Sequence, residues 1–117
     1  MQIITEPFLK FHPHTAARIG LNESMFLQQI HELSLSPIDT VEGTQWVSRS
    51  YKEWHAVMSF WSMATIIRAI RKLEKSGYIR SKRQNFGEKM YLVDYEVCES
   101  NRVFLLPPAK VEVSSIN

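Results

Sequence analysis

Ser62 to Lys89 reads SMATIIRAIRKLEKSGYIRSKRQNFGEK, and the change of period inside it decides the fold. At about 100° per residue, Ile66, Ile70 and Leu73 fall in one narrow arc, which predicts a helix buried on that side. Gly77 ends the run where helices commonly stop on a glycine of positive φ. The same rotation gathers Ala64, Arg68, Arg71 and Lys75 on the opposite side, flanked by Thr65 and Lys72. That outer ridge is small and neutral at its start and basic further along. Beyond Gly77 the period falls to 2, so Tyr78 to Gln84 and Lys89 to Tyr95 predict two strands joined by the turn Asn85, Phe86, Gly87, Glu88.

Charge is segregated into this stretch. It holds eight basic residues (Arg68, Arg71, Lys72, Lys75, Arg80, Lys82, Arg83, Lys89) against Glu74 and Glu88, a local charge of +6. The rest of the chain has six basic and ten acidic residues, so the overall +2 conceals a strong local field. Clustered cations steer a protein toward polyanions, and each one that neutralises a phosphate releases counterions. A merely solvated helix face is the alternative, but Glu74 alone cannot balance so many cations through pairs along the helix.

The 117 residues suit a single domain able to bury a core. A chain 44% hydrophobic and 22% charged has the composition of a soluble globular protein. One cysteine, Cys98, makes no internal disulfide, and no signal peptide is read at the start, so the expected compartment is the cytoplasm. The longest apolar run, Val103 to Leu106, is far too short for a membrane span. Residues 2 to 11 look extended, with Pro7 favouring a short edge strand. His12 to Ile19 predicts a brief helix with Pro13 near its start and Gly20 as its stop. His12 and His14 have a metal-like spacing but lack a third ligand nearby. Leu21 to Leu35 predicts a helix capped by Asn22, with Phe26, Leu27, Ile30 and Leu33 as its apolar stripe and His31 on the surface. Ile38 to Val47 is strand-like, turning at Val41 to Thr44, and its returning arm is expected to pair with the basic hairpin. Pro107 to Asn117 reads as a linker or flexible tail after a domain spanning 1–106.

Ser50, Tyr51, Lys52, Glu53 match a capping box, in which the serine oxygen takes an amide proton and the glutamate reaches back. A short helix follows, then a turn at Met58 to Trp61, then Ser62 as the cap of the long helix, with Trp61 and Ile66 placed as a hydrophobic staple. Two helices across a tight turn, followed by a basic hairpin, give the expected fold class: α+β, a winged helix-turn-helix with a short N-terminal strand and a two-stranded wing. Trp54, Phe60 and Trp61 are expected in the core. Phe86 at the hairpin tip has three open readings: minor-groove insertion, contact with a partner, or folding back.

The run from Arg18 to Tyr95 resembles the N-terminal winged-helix domain of replisome organiser and replication initiation proteins of Gram-positive phages and plasmids, including DnaD-like primosome proteins. The likeness rests on Ile19-Gly20-Leu21-Asn22-Glu23 leading into Phe26-Leu27-Gln28-Gln29-Ile30-His31, on Trp46-Val47, on Lys52-Glu53-Trp54 to Phe60-Trp61-Ser62, on Thr65-Ile66 with Arg68, on Leu73-Glu74-Lys75-Ser76-Gly77-Tyr78-Ile79, and on Tyr91 through Asp94-Tyr95. It implies origin or operator binding, followed by recruitment of a helicase loader or another replication protein. Longer relatives continue into a second domain, whereas this chain stops at Asn117.

Double-stranded DNA is the expected partner, with Ser62, Ala64, Thr65 and Arg68 at base edges in the major groove. Arg71, Lys72 and Lys75, with Arg80, Lys82, Arg83 and Lys89 on the wing, are expected on phosphates. A homodimer on a palindromic site fits the class. A repressor or partition-site binder needs the same surface, and a protein-interaction module is the third reading. No cofactor is called for, and an enzyme is not expected: the sequence has no Walker loop, partnered nucleophile or metal-ligand set.

Overall fold

The computed structural model describes residues 9–83 and 88–107. Gly20 sits between the first two helices with φ of 103°, a conformation that L side chains rarely adopt, and there the chain changes direction. Helix α1 (Pro13–Ile19) begins with Pro13 and is capped by the His12 ring, whose Nδ1 accepts from the His14 amide at 3.1 Å. Helix α2 (Leu21–Ser34) starts at the expected Leu21, but its N-cap is Gly20, two residues before the expected Asn22. Its buried side carries the expected Phe26, Leu27 and Ile30.

Between α2 and the sheet only part of the expected strand pair forms. The turn at Val41 to Thr44 is present, with Thr44 N donating to Val41 O and Val41 N to Trp46 O, both at 2.9 Å. The outgoing arm contributes a single bridge, Thr40 to Val47, and Ile38 is 93% exposed, so it lacks the burial that a strand face needs. Strand β1 (Val47–Arg49) leads into α3 (Tyr51–Val57) through the predicted capping box: Glu53 N donates to Ser50 Oγ at 3.1 Å, and Ser50 N to Glu53 Oε1 at 2.9 Å. That backbone bond holds the Glu53 carboxyl below the usual glutamate range.

Helix α4 (Met63–Ser76) ends at Gly77, φ 83°, where Tyr78 N donates to Leu73 O and Gly77 N to Glu74 O, closing the helix as a Schellman motif. Strands β2 (Ile79–Arg83) and β3 (Lys89–Val93) follow, and the antiparallel sheet has the order β1-β3-β2. The returning arm therefore pairs with the hairpin, as expected, with Val47 opposite Tyr91 and Arg49 opposite Lys89. The third hairpin residue pair places Ser81 opposite Tyr91. Phe86 and most of the hairpin turn lie outside the described residues, as do residues 2–8 of the expected N-terminal strand and residues 108–117 of the expected tail. Leu9 to Phe11 is not strand.

Tyr95 was expected to prolong the second hairpin strand, but it opens helix α5 (Tyr95–Ser100). Asp94 caps that helix, its Oδ1 accepting from Val97 N at 3.1 Å, and the local bond ends the strand at Val93. The described residues thus form an α+β fold of five helices and one three-stranded sheet. Trp54 sits at its centre, fully buried, its ring 4.7 Å from Phe26 and 5.7 Å from Tyr91 between centroids. Phe60 departs from expectation: at 61% exposure it lies on the surface, stacked beside the half-buried Trp61. Met58 opens the expected turn, its O accepting from Trp61 N at 3.0 Å, and its side chain is buried.

After α5 the chain crosses back over α1 and α2. Thr15 Oγ1 donates to Phe104 O at 2.6 Å and accepts from Phe104 N at 2.8 Å. Gln28 grips Leu106 the same way, Nε2 to O at 2.9 Å and N to Oε1 at 2.8 Å. Two buried polar side chains, at alternate residues of an extended segment, do what a neighbouring strand's backbone would do. Replacing Gln28 with Leu keeps the volume but strands both Leu106 groups, so it is expected to cost about 2 kcal/mol. Amide exchange at Phe104 and Leu106, together with the urea midpoint, checks this; unchanged protection at Leu106 contradicts it.

Candidate nucleic-acid interface

The outer side of α4 is built by its inner side. Ile66, Ala69, Ile70 and Leu73 are buried against the core, which turns Ala64, Arg68, Arg71, Lys72 and Lys75 outward together. With Ile67, these five line a shallow open groove along the helix. Among the described residues Arg68, Arg71 and Lys75 have no ion pair, while Lys72 makes a loose one to Glu23 at 3.7 Å with 60% of its side chain exposed. Ser62 and Thr65 lie at the helix start but are engaged with each other: Ser62 Oγ accepts from Thr65 N at 3.1 Å and lies 3.0 Å from Thr65 Oγ1.

The hairpin cations are less uniform than their sequence spacing suggests. Lys89 is mostly buried, bonded to Glu74 Oε2 at 2.9 Å and lying over the rings of Tyr51 and Tyr91. Ser81 Oγ donates to the same carboxylate oxygen. Glu74, read from sequence as a lone counter-charge on the ridge, thus ties α4 to both hairpin strands. Arg80 pairs with Asp94 at 3.1 Å but keeps 70% of its side chain exposed. The Val97 amide first, and Arg80 beside it, hold the Asp94 carboxyl below the usual aspartate range. Lys82 projects over the Trp46 ring at 4.5 Å, and Arg83 at the strand end is exposed.

No protein-family model, curated protein or solved structure matches this chain. Other chemistry is sparse among the described residues. No group of three or more His, Cys, Asp or Glu side chains comes together, and no helix is long and apolar enough to cross a membrane. Cys98 is buried, which pushes its thiol up to about 12 and away from the reactive thiolate. His31, expected on the surface, is half-buried with Nδ1 2.7 Å from Tyr95 Oη, and burial lowers its pKa.

Removing Glu74 leaves Lys89 buried without its carboxylate. Glu74→Ala is therefore expected to destabilise the fold by about 2 kcal/mol, less than a fully enclosed pair because both side chains retain some solvent. A urea midpoint shift with unchanged slope reports it. An unshifted midpoint would show that the carboxylate does not hold the hairpin to the helix.

Proposed function

We propose that the chain is a sequence-specific double-stranded DNA-binding protein of the winged-helix kind, with α3 and α4 as its helix-turn-helix and the β2–β3 hairpin as its wing. One observation carries this reading: Arg68, Arg71, Lys72 and Lys75 stand exposed along one side of a 14-residue helix, three of them without an acidic partner among the described residues. Such a helix, about 10–12 Å across with its side chains, matches a B-DNA major groove about 12 Å wide.

Ala64 permits close approach, and Arg68 is the side chain placed for a bidentate bond to guanine. Ser62 and Thr65 flank it with hydroxyls engaged in the helix cap, which leaves them a smaller share of base contact. Arg71, Lys72 and Lys75 meet phosphates, joined from the wing by Arg80, Lys82 and Arg83. Lys89 serves the wing's attachment rather than the duplex. The role is non-catalytic, and the resemblance to replisome organisers favours replication initiation over repression.

Competition binding against specific and random duplexes tests the division of labour. Arg68→Ala is expected to narrow the gap between the two duplexes by about 1–3 kcal/mol, while Lys82→Ala weakens both alike. Identical profiles for the two variants would contradict it. A footprint over an origin supports the replication role, and one over a promoter supports a repressor.

A further inference from the structure

The cationic surface of α4 continues beyond the helix itself. Lys72, which lines the groove along the ridge, also lines a second recess, where the last turn of α1 meets α4. Its walls include Arg18, Ile19, Glu23, Lys72, Leu73 and Tyr78. Arg18 precedes Lys72 by 54 residues, so no spacing in the sequence brings the two together. The fold does.

Two cations and one carboxylate line this recess. Lys72 and Glu23 lie 3.7 Å apart, and counting them as cancelling still leaves the whole charge of Arg18. Arg18 is exposed, and among the described residues its side chain has no ion pair or hydrogen bond. Glu23 is committed elsewhere as well. It lies in the first turn of α2, where the free amides of a helix start favour negative charge, and its carboxylate folds over Gly20 into space that a β-carbon there would fill. Only 12% of its side chain is exposed, so it stays with α2, whereas Lys72, 60% exposed, is free to turn outward.

The form of the recess decides what it takes. No buried polar side-chain atom lining it lacks a partner, so nothing in it is built to capture a small anion from solution. Exposed cations hold an anion weakly on their own. They hold it well when another contact has already brought it to them, because the second contact is then made at high effective concentration. A DNA strand seated on α4 supplies its phosphates in that way.

We propose that the α1–α4 recess seats one backbone phosphate of the bound duplex, with Arg18 and Lys72 as its ligands. The DNA surface then extends past the helix-turn-helix and the wing onto α1. This rests on the duplex reading above and deepens it. Arg68 lies one helical turn before Lys72, so the seat flanks the base-reading segment and fixes docking register rather than sequence.

Arg18→Gln is expected to keep the wild-type melting temperature, since the side chain has no partner to lose. Duplex affinity at 0.1 M salt is expected to fall about eightfold on specific and random sequences alike, and the plot of log affinity against log salt to become shallower by about 0.9. Arg102→Gln is the control, because Arg102 is an exposed cation just beyond α5 that lines neither recess. Ethylation of single backbone phosphates locates the contact: at one phosphate it should weaken the wild type and leave Arg18→Gln unaffected. If Arg102→Gln lowers affinity as much as Arg18→Gln, or if no phosphate separates variant from wild type, the effect is one of net charge and the proposal is overturned. An Arg18→Gln protein that binds as tightly as the wild type, while Arg71→Gln is weakened, overturns this recess alone. A wild type that binds no duplex overturns both readings.

Discussion

Neutralising the α4 ridge with Arg68→Gln, Arg71→Gln and Lys75→Gln is expected to weaken duplex binding about 60-fold on any sequence at 0.1 M salt while leaving the fold intact. The figure follows from counterion release: each neutralised phosphate contributes a power of about 0.9 in salt concentration, so the Arg71 and Lys75 contacts are worth about 10 to the power 1.8 relative to 1 M, and loss of the Arg68 bond to guanine adds to it on the specific site. Stability is spared because none of the three side chains has an ion-pair partner among the described residues, and glutamine is a good helix former. The loss should be electrostatic in character. Unlike a folding defect, it should shrink as salt rises and the wild type itself weakens. Circular dichroism and thermal melting of the variant should overlay the wild type. A variant that stays folded and binds normally would remove α4 from the interface.

Trp54→Ala is expected to give the largest loss of stability, about 3–5 kcal/mol. The indole bridges α2, α3 and β3 through Phe26 and Tyr91, and it is wholly buried, so truncation leaves a cavity at the meeting point of three elements. Against a typical total of about 5–15 kcal/mol, that is a large fraction, and a drop in Tm of roughly 10–20 °C should accompany it. Trp54→Phe provides the contrast. Since Nε1 has no partner, a smaller ring forfeits volume but no hydrogen bond, and the loss should be well under half as large. Equal losses for the two variants would mean that the indole N–H, rather than ring packing, stabilises the centre.

Where the determinants were local, the sequence was legible. The 3.6-residue spacing of Ile66, Ile70 and Leu73 placed the buried side of α4 and, by rotation, the outward direction of Arg68, Arg71 and Lys75. Ser50 with Glu53, and Gly77 after Ser76, marked helix ends through bonds made within a few residues. Tyr95 misled because Tyr91, Val93 and Tyr95 alternate like one continuous strand, whereas the Asp94 side chain captures the Val97 amide and starts a helix. The segment running over α1 and α2 had no local signature at all: Thr15 and Gln28 find Phe104 and Leu106 at sequence separations of 89 and 78. Lys89 looked like another free cation for the same reason, because its carboxylate partner sits on α4. Phe60 shows the converse limit, an aromatic residue placed in the core by composition and left on the surface by the turn geometry.

Salt dependence of duplex affinity, measured for the wild type and for the triple glutamine variant, tests the central claim most directly. If α4 meets phosphates through Arg71 and Lys75, the plot of log affinity against log salt should be shallower in the variant by about 1.8. Parallel plots, or a wild type that binds no duplex at low salt, would contradict it.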